Sequence, residues 1–353
     1  MYLAGNLPKR MSEGGHQERY DDLPFNELEI KDGFDPDIVA DHFPVEREPR
    51  IDTMDEPVII ENAYAGWQEG GERYPAIPEG PEEMTEDLIE AVEAGAVAVH
   101  VHPRDESGYP TVGAELLSSI LDPVFDQCGE IVTLNHTWDV GPHADYITET
   151  EELLELGEGN KYCQGSVVLP AGFKSATGTY HSRSAQREGV RYLEENDVKP
   201  IYQLYDTHVI NDLKHHIFDT GDSTWDPFVM NLHLGKHHSH AINQDPWAYL
   251  NWITASNNVS ATMGDHDHII GCYPGGRNWL AIYVMGLLSG ANLFRIGIED
   301  KYWKYPHKDD IISSNTEVIE MAVQIAEDLG REVITDPDEA REILGMKYTS
   351  PRN

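Results

Sequence analysis

From Pro57 onward the chain alternates short apolar or β-branched runs with amphipathic stretches, and this alternation restricts it to folds made of βα units around a parallel sheet. Eight runs stand out: Val58–Glu61, Ala96–His102, Ile131–Leu134, Cys163–Val168, Ile201–Tyr205, Phe228–Leu232, His268–Cys272 and Leu293–Ile298. Helical stretches separate most of them, including Ala114–Phe125, Ser182–Asn196, Pro246–Ser256, Trp279–Leu288 and Thr316–Leu329. Between the first two runs, Pro81 opens a helix in which Leu88, Ile89 and Val92 fall at helical spacing and Gly95 sits near the end. No GxGxxG follows the first run, so eight units imply a closed (β/α)8 TIM barrel more readily than an open doubly wound sheet. The 353 residues accommodate that barrel as one domain over residues 56–353. Residues 1–55 carry acidic pairs, Gly14, Gly15 and Pro-interrupted stretches such as Ile38–Val39–Ala40, with no sustained period. They read as an N-terminal extension draped over the barrel or a neighbouring subunit.

The charge balance narrows the partners. With 63 acidic against 25 basic residues the formal net charge is −38, and both nucleic acid and anionic membrane are recognised chiefly through Lys and Arg. Self-repulsion of this size destabilises a compact state unless salt screens it, which points to a high-salt, halophilic cytoplasm. The competing explanation, an acidic mesophile protein with a disordered tail, fits less well because the acid is spread along the whole chain. There is no run of 18 apolar residues, and the first residues lack the apolar core of a secretory signal, so a soluble, cytoplasmic protein is expected. Cys128, Cys163 and Cys272 are far apart and form no CxxC pair, so they read as reduced, buried thiols.

In a barrel of this kind the active site lies at the C-terminal ends of the strands. His100 and His102 close the second run, and period-two alternation turns both towards the barrel axis, a ready ligand pair for zinc or a similar metal. An HxH alone is weak in a chain with 17 histidines. Glu299, just past the eighth run, would complete a His2Glu set with an open position for substrate. On residue type alone, Glu299–Asp300 reads equally as a solvated loop or a helix N-cap.

Two long segments carry a family resemblance. Pro81–Glu82–Glu83–Met84 through Gly95–Ala96–Val97–Ala98–Val99–His100–Val101–His102–Pro103–Arg104–Asp105 resembles the β-keto acid cleavage enzymes, also called 3-keto-5-aminohexanoate cleavage enzymes. So does Asn292–Leu293–Phe294–Arg295–Ile296–Gly297–Ile298–Glu299–Asp300, with the closing helix and Asp338–Glu339–Ala340–Arg341–Glu342–Ile343–Leu344–Gly345. The similarity runs from about Pro57 to Met346; the first 55 residues and parts of 207–265 lie outside it.

The resemblance implies a zinc ion on His100, His102 and Glu299, Asp300 as general base with Arg295 as its partner, and acetyl-CoA as co-substrate. It also implies a reaction in which a 3-keto acid condenses with acetyl-CoA and the adduct is cleaved to acetoacetate and a new acyl-CoA, in a homo-oligomer, a homotetramer. In the family, hydroxyls at the ends of the third and fourth strands hold the substrate carboxylate, which makes Thr137 and Ser166 the candidates here. The third segment departs from the usual Ser/Thr-Thr-Gly-Gly: it reads Asn135–His136–Thr137–Trp138, and a one-residue indel would give the role to His136. On the fifth strand Gln203 stands where family members that act on an amino-bearing keto acid offer a carboxylate. A neutral amide recognises an ammonium poorly, so the amino substrate is not expected to be native even though Glu61 keeps one carboxylate in the pocket.

Two further motifs have bland readings beside the functional ones. The tract Leu232–His233–Leu234–Gly235–Lys236–His237–His238–Ser239–His240 is either a second metal site or a polar βα loop, the latter favoured, with Lys236 able to meet CoA phosphates. Gly271–Cys272–Tyr273–Pro274–Gly275–Gly276–Arg277 is either a phosphate-cradling turn before a helix or only a tight turn. Competing functions are a zinc hydrolase or aldolase on the same barrel, and a binding homologue that has lost catalysis. Against the last stand His100, His102, Arg295, Glu299 and Asp300, all intact.

Overall fold

The computed structural model describes residues 51–66, 74–78, 80–111, 113–134, 146–156, 159–174, 179–206, 208–235 and 248–349. The N-terminal extension falls, up to residue 50, outside them. Every one of the eight runs yields a strand. In chain order the elements are β1 (Val58–Ala63), α1 (Pro81–Glu93), β2 (Ala98–His100), α2 (Ala114–Cys128), β3 (Val132–Thr133), α3 (Tyr146–Glu155) and β4 (Gly165–Val168). A short antiparallel pair, β5 (Gly172–Lys174) and β6 (Thr179–His181), then precedes α4 (Arg183–Glu195) and β7 (Lys199–Leu204). The chain continues through α5 (His208–Leu213), β8 (Phe228–Leu234), α6 (Ala248–Met263), β9 (His268–Pro274), α7 (Trp279–Leu288), β10 (Leu293–Ile296), α8 (Asn315–Asp328), β11 (Val333–Ile334) and α9 (Pro337–Ile343).

The strands are parallel in the order β3-β2-β1-β10-β9-β8-β7-β4, and a parallel bridge between Leu134 and Gly165 joins the two ends into a ring. Eight strands, each followed by a helix, make the (β/α)8 TIM barrel expected from the alternation of runs.

Burial on both faces explains why these strands are nearly continuous apolar runs. Val58 and Ile60 face the helices with Met84, Leu88 and Val318, whereas Ile59 faces the axis with Ala98, Leu134, Ile201, Val229 and Leu293. The same alternation, carried up each strand, decides which polar residues reach the pocket. At the N-terminal end, α9 closes the barrel: Ala340 and Leu344 join the axial cluster, and Arg341 Nε donates to Gln164 Oε1 at 2.9 Å. Helix ends follow their sequence signals. Ser182 and Ser314 accept from the Ala185 and Glu317 amides, and Asp336 caps α9. Cys163 and Cys272 are buried thiols as expected, while Cys128 is only half-buried. No helix among the described residues is long and apolar enough to cross a membrane.

Candidate active site

The second strand ends at His100, and His102 lies just beyond it, yet both imidazoles turn to the same side. Their Nε2 atoms are 2.9 Å apart and the rings meet edge to face. Glu299 Oε2 approaches them at 3.3 and 3.9 Å, and the three ligand atoms lie within 4.8 Å of one another. Ligand atoms around a tetrahedral zinc sit about 3.3 Å apart, given bonds of roughly 2.0–2.1 Å, so this donor set fits such an ion. Burial, and then the positive charge of Arg295, push the His100 imidazole below its ordinary pKa, which favours the neutral form that binds a metal.

Local backbone geometry delivers Glu299. After β10 the chain turns at Gly297, where φ is +155° and an added Cβ would stand 2.1 Å from the Ala63 carbonyl oxygen. Only glycine allows the two strand ends to approach this closely. The Ile298 amide donates to Asn315 Oδ1 at 3.1 Å, and Asn315 Nδ2 donates to Asp87 Oδ2 at 2.8 Å, fixing the turn to α8 and α1. Gly66 pads the other side of Glu299: an added Cβ would lie 2.3 Å from Glu299 Cγ. The buried Arg104 holds Gly66 in turn, donating from Nη2 to its carbonyl at 3.2 Å and from Nη1 to the Gly108 carbonyl at 2.8 Å.

Asp300 is fixed from several directions. Arg295 Nε donates to Asp300 Oδ2 at 2.7 Å, the Gly276 amide donates to the Asp300 carbonyl at 2.9 Å, and His233 Nε2 lies 3.4 Å from Asp300 Oδ1. Arg295 also pairs with Glu299 Oε1, and Tyr273 donates its hydroxyl to Glu61 Oε2. Burial alone would lower the guanidinium pKa, but Asp300, Glu299 and Glu61 raise it above its ordinary value. Three buried or nearly buried carboxylates thus surround one guanidinium, a deficit of positive charge that a divalent cation on His100, His102 and Glu299 would offset.

Gln203 faces the axis, beside Asn231 in register, with Ile201 below it in the axial cluster. Ser166 does not. Gly165 faces Leu134, Ile201 and Met346 inside the barrel, so alternation turns Ser166 to the helix side, away from a substrate carboxylate. His136 and Thr137 lie outside the described residues, as does Lys236 with the rest of the histidine tract to His240. His233 itself belongs to β8 and not to a loop. The Gly271–Arg277 segment is not an open phosphate cradle: β9 runs to Pro274, and the Gly275 and Gly276 amides are taken by the Leu234 and Asp300 carbonyls. His233 and Tyr273 are the site residues that sequence reasoning misplaced. Period-two alternation extended from Val229 and Asn231, and from Ile269 and Gly271, would have found both.

Residues 57–346 match the model of the beta-keto acid cleavage enzyme family. The chain is 26% identical over 305 residues to a 3-keto-5-aminohexanoate cleavage enzyme of Acetoanaerobium sticklandii, covering 82% of this chain and 99% of that one. It is also 26% identical over 320 residues to a 3-dehydrocarnitine:acetyl-CoA trimethylamine transferase of Rhizobium meliloti, covering 83% and 98%. Among solved structures, the apo structure of ObcA shares the fold with a TM-score of 0.59 at 14% identity, covering 78% of this chain and 66% of that one. With the matched residues spanning the whole barrel, the chain belongs to the β-keto acid cleavage enzyme family.

Proposed function

We propose that the protein is a zinc-dependent enzyme that exchanges acyl groups between a 3-keto acid and acetyl-CoA, yielding acetoacetate and a new acyl-CoA. The convergence of His100, His102 and Glu299 beside an Asp300 carboxylate held by Arg295 supports this reading most directly. A zinc ion on these three ligands would act as a Lewis acid towards a keto oxygen, making the adjacent C–H more acidic.

Asp300 Oδ1 then takes a proton from the carbon between the keto and carboxylate groups. The carbanion adds to the acetyl carbonyl of acetyl-CoA, and the CoA thiolate is displaced. That thiolate attacks the original 3-keto carbon of the adduct and becomes the thioester of the new acyl-CoA. The C–C bond breaks towards the acetoacetate carbon, which takes back the proton from Asp300, so atoms and charge balance. Arg295 stays charged throughout and keeps Asp300 aimed with one oxygen committed to the guanidinium and the other presented to substrate. Glu61, engaged by the Tyr273 hydroxyl and close to Arg295 across paired strands, acts here as counter-ion. With Gln203 neutral, the substrate class is a 3-keto acid without a γ-side ammonium. The remaining assignments proposed are a homo-oligomeric assembly and no nucleic-acid or membrane partner.

The test is a panel of 3-keto acids incubated with acetyl-CoA in molar salt. Acetoacetate should accumulate in step with a new acyl-CoA and without free thiol. Release of free CoA, or turnover without acetyl-CoA, would favour the hydrolase or aldolase reading.

A further inference from the structure

We propose that the hairpin directly after Asp300 holds the adenosine phosphate end of CoA; this rests on the reading of acetyl-CoA as co-substrate. Acidic residues outnumber basic ones 63 to 25, and a surface of that balance repels a polyanionic ligand over most of its extent. The segment 301–308, Lys-Tyr-Trp-Lys-Tyr-Pro-His-Lys, departs from it: three lysines, a histidine and three aromatic residues stand together with no Asp or Glu. Phosphates are held by cations and a nucleobase by a flat aromatic face, so this composition suits a nucleotide.

The hairpin is pinned at the C-terminal face of the barrel, where substrates of such barrels bind. Trp303 bridges Ile311 antiparallel, the Lys304 amide donates to the Asp310 carbonyl at 2.9 Å, and the Ile312 amide donates to the Tyr302 carbonyl at 3.0 Å. Trp279, at the start of α7, donates from Nε1 to the Trp303 carbonyl at 3.0 Å. Arg277 joins from the loop after β9: its guanidinium stacks over the Trp303 ring at 4.0 Å and donates to the Lys308 carbonyl at 2.6 Å. The Nζ atoms of Lys308 and Lys304 lie 4.8 and 5.8 Å from the Tyr305 ring centre. Three carboxylates share this surface. Glu317 pairs with Lys304, Asp310 closes the hairpin through its carbonyl, and Asp309 meets Arg277 with a side chain that is 88% exposed. Exposed ion pairs contribute little, so a phosphate, with more charge to offer, displaces Asp309. Lys304 is four residues past Asp300, so at most about 14 Å of chain separates them, and the arm of CoA from thiol to pyrophosphate spans roughly 15 Å at the rise of an extended backbone. A thioester beside Asp300 therefore has its phosphates within reach of Arg277, Lys304 and Lys308, and its adenine within reach of the Trp303 and Tyr305 rings.

Two acetyl donors separate the nucleotide site from the chemistry: acetyl-CoA, and the acetyl thioester of N-acetylcysteamine, which has the thioester and no nucleotide. The parent should prefer acetyl-CoA in kcat/KM. Lys308→Ala, at an exposed side chain, should reduce that preference about 10-fold, the size of one lost charge-assisted hydrogen bond, and Arg277→Gln combined with Lys308→Ala should reduce it further. Adenosine 3′,5′-bisphosphate, titrated calorimetrically in the same salt, should bind the parent and bind the double variant at least about 10-fold more weakly. A parent that uses both donors equally well, or a double variant that keeps the parental preference and the parental affinity for the bisphosphate, overturns the proposal while the acyl-exchange reading stands. Equal loss with both donors overturns it too, since the side chains would then be supporting the fold of the site and not a nucleotide. If neither donor yields acetoacetate from any 3-keto acid, the acyl-exchange reading fails and this inference with it.

Discussion

Glu299 and Asp300 are sequence neighbours for which we propose opposite tasks. Glu299 turns its carboxylate to the two imidazoles, whereas Asp300 turns towards Arg295 and His233. Their substitutions should therefore separate. Asp300→Asn is expected to keep its fold and about one zinc per chain while losing turnover by roughly 10²–10⁴-fold, the range for removal of a general base. Glu299→Gln should lose metal and activity together, because the role proposed for it is ligation. Metal analysis alongside kcat checks both, and full zinc in Glu299→Gln would remove it from the ligand set. This pair was legible in sequence only through family resemblance. By residue type a carboxylate pair after an apolar run is as easily a solvated loop, and what distinguishes it here is the buried Arg295 opposite, which no local pattern reveals.

At the scale of elements, the turn after β10 carries the site, and two predictions belong to it. Gly297→Ala drives a Cβ into the Ala63 backbone, with contacts of 2.1, 2.7 and 2.9 Å to atoms that cannot move aside. The cost should exceed the about 1–3 kcal/mol of ordinary overpacking, and thermal melts should show a lower Tm together with weakened zinc binding. The second concerns Asp87, which braces Asn315 beneath the same turn. Burial raises its pKa from 3.8 to about 6. For a carboxyl whose folded pKa is raised, the stability contribution is full below the unfolded pKa and is lost as pH climbs through about 6. Asp87→Asn keeps an acceptor for Asn315 and removes that loss. Its Tm should exceed the parent's at pH 8, by at most about 3 kcal/mol of stability, and the difference should vanish near pH 4. A gain at pH 4 instead would contradict the assignment. The eight strands were readable because β-branched runs with buried faces are a local signal. Their C-terminal ends were readable only by extending the alternation of positions, not from hydrophobicity: β8 runs through His233 to Leu234 and β9 through Tyr273 to Pro274, beyond where the apolar pattern stops. In a barrel enzyme the interior turns polar where the pocket begins, so hydrophobic periodicity fades at the residues that matter for chemistry. The opposite error affects Ser166, whose residue type fits a substrate ligand while the strand's alternation turns it outward.

For the molecule as a whole, a formal charge of −38 sets the dependence on salt. Screening reaches about 3 Å at 1 M and about 30 Å at 0.01 M, so transfer to dilute buffer exposes most surface carboxylates to one another. The Tm should fall on desalting; a flat or rising Tm would show that the acidity is no adaptation to salt. The proposed metal ligands and base converge on one reaction, in which the acetyl group of acetyl-CoA ends in acetoacetate joined to two carbons of the keto acid. Acetyl-CoA labelled with ¹³C at both acetyl carbons, turned over with an unlabelled 3-keto acid, tests it directly. Acetoacetate should carry label at carbons 3 and 4 and none at 1 and 2, with the new acyl-CoA free of label. Unlabelled acetoacetate, or label appearing as free acetate, would contradict it.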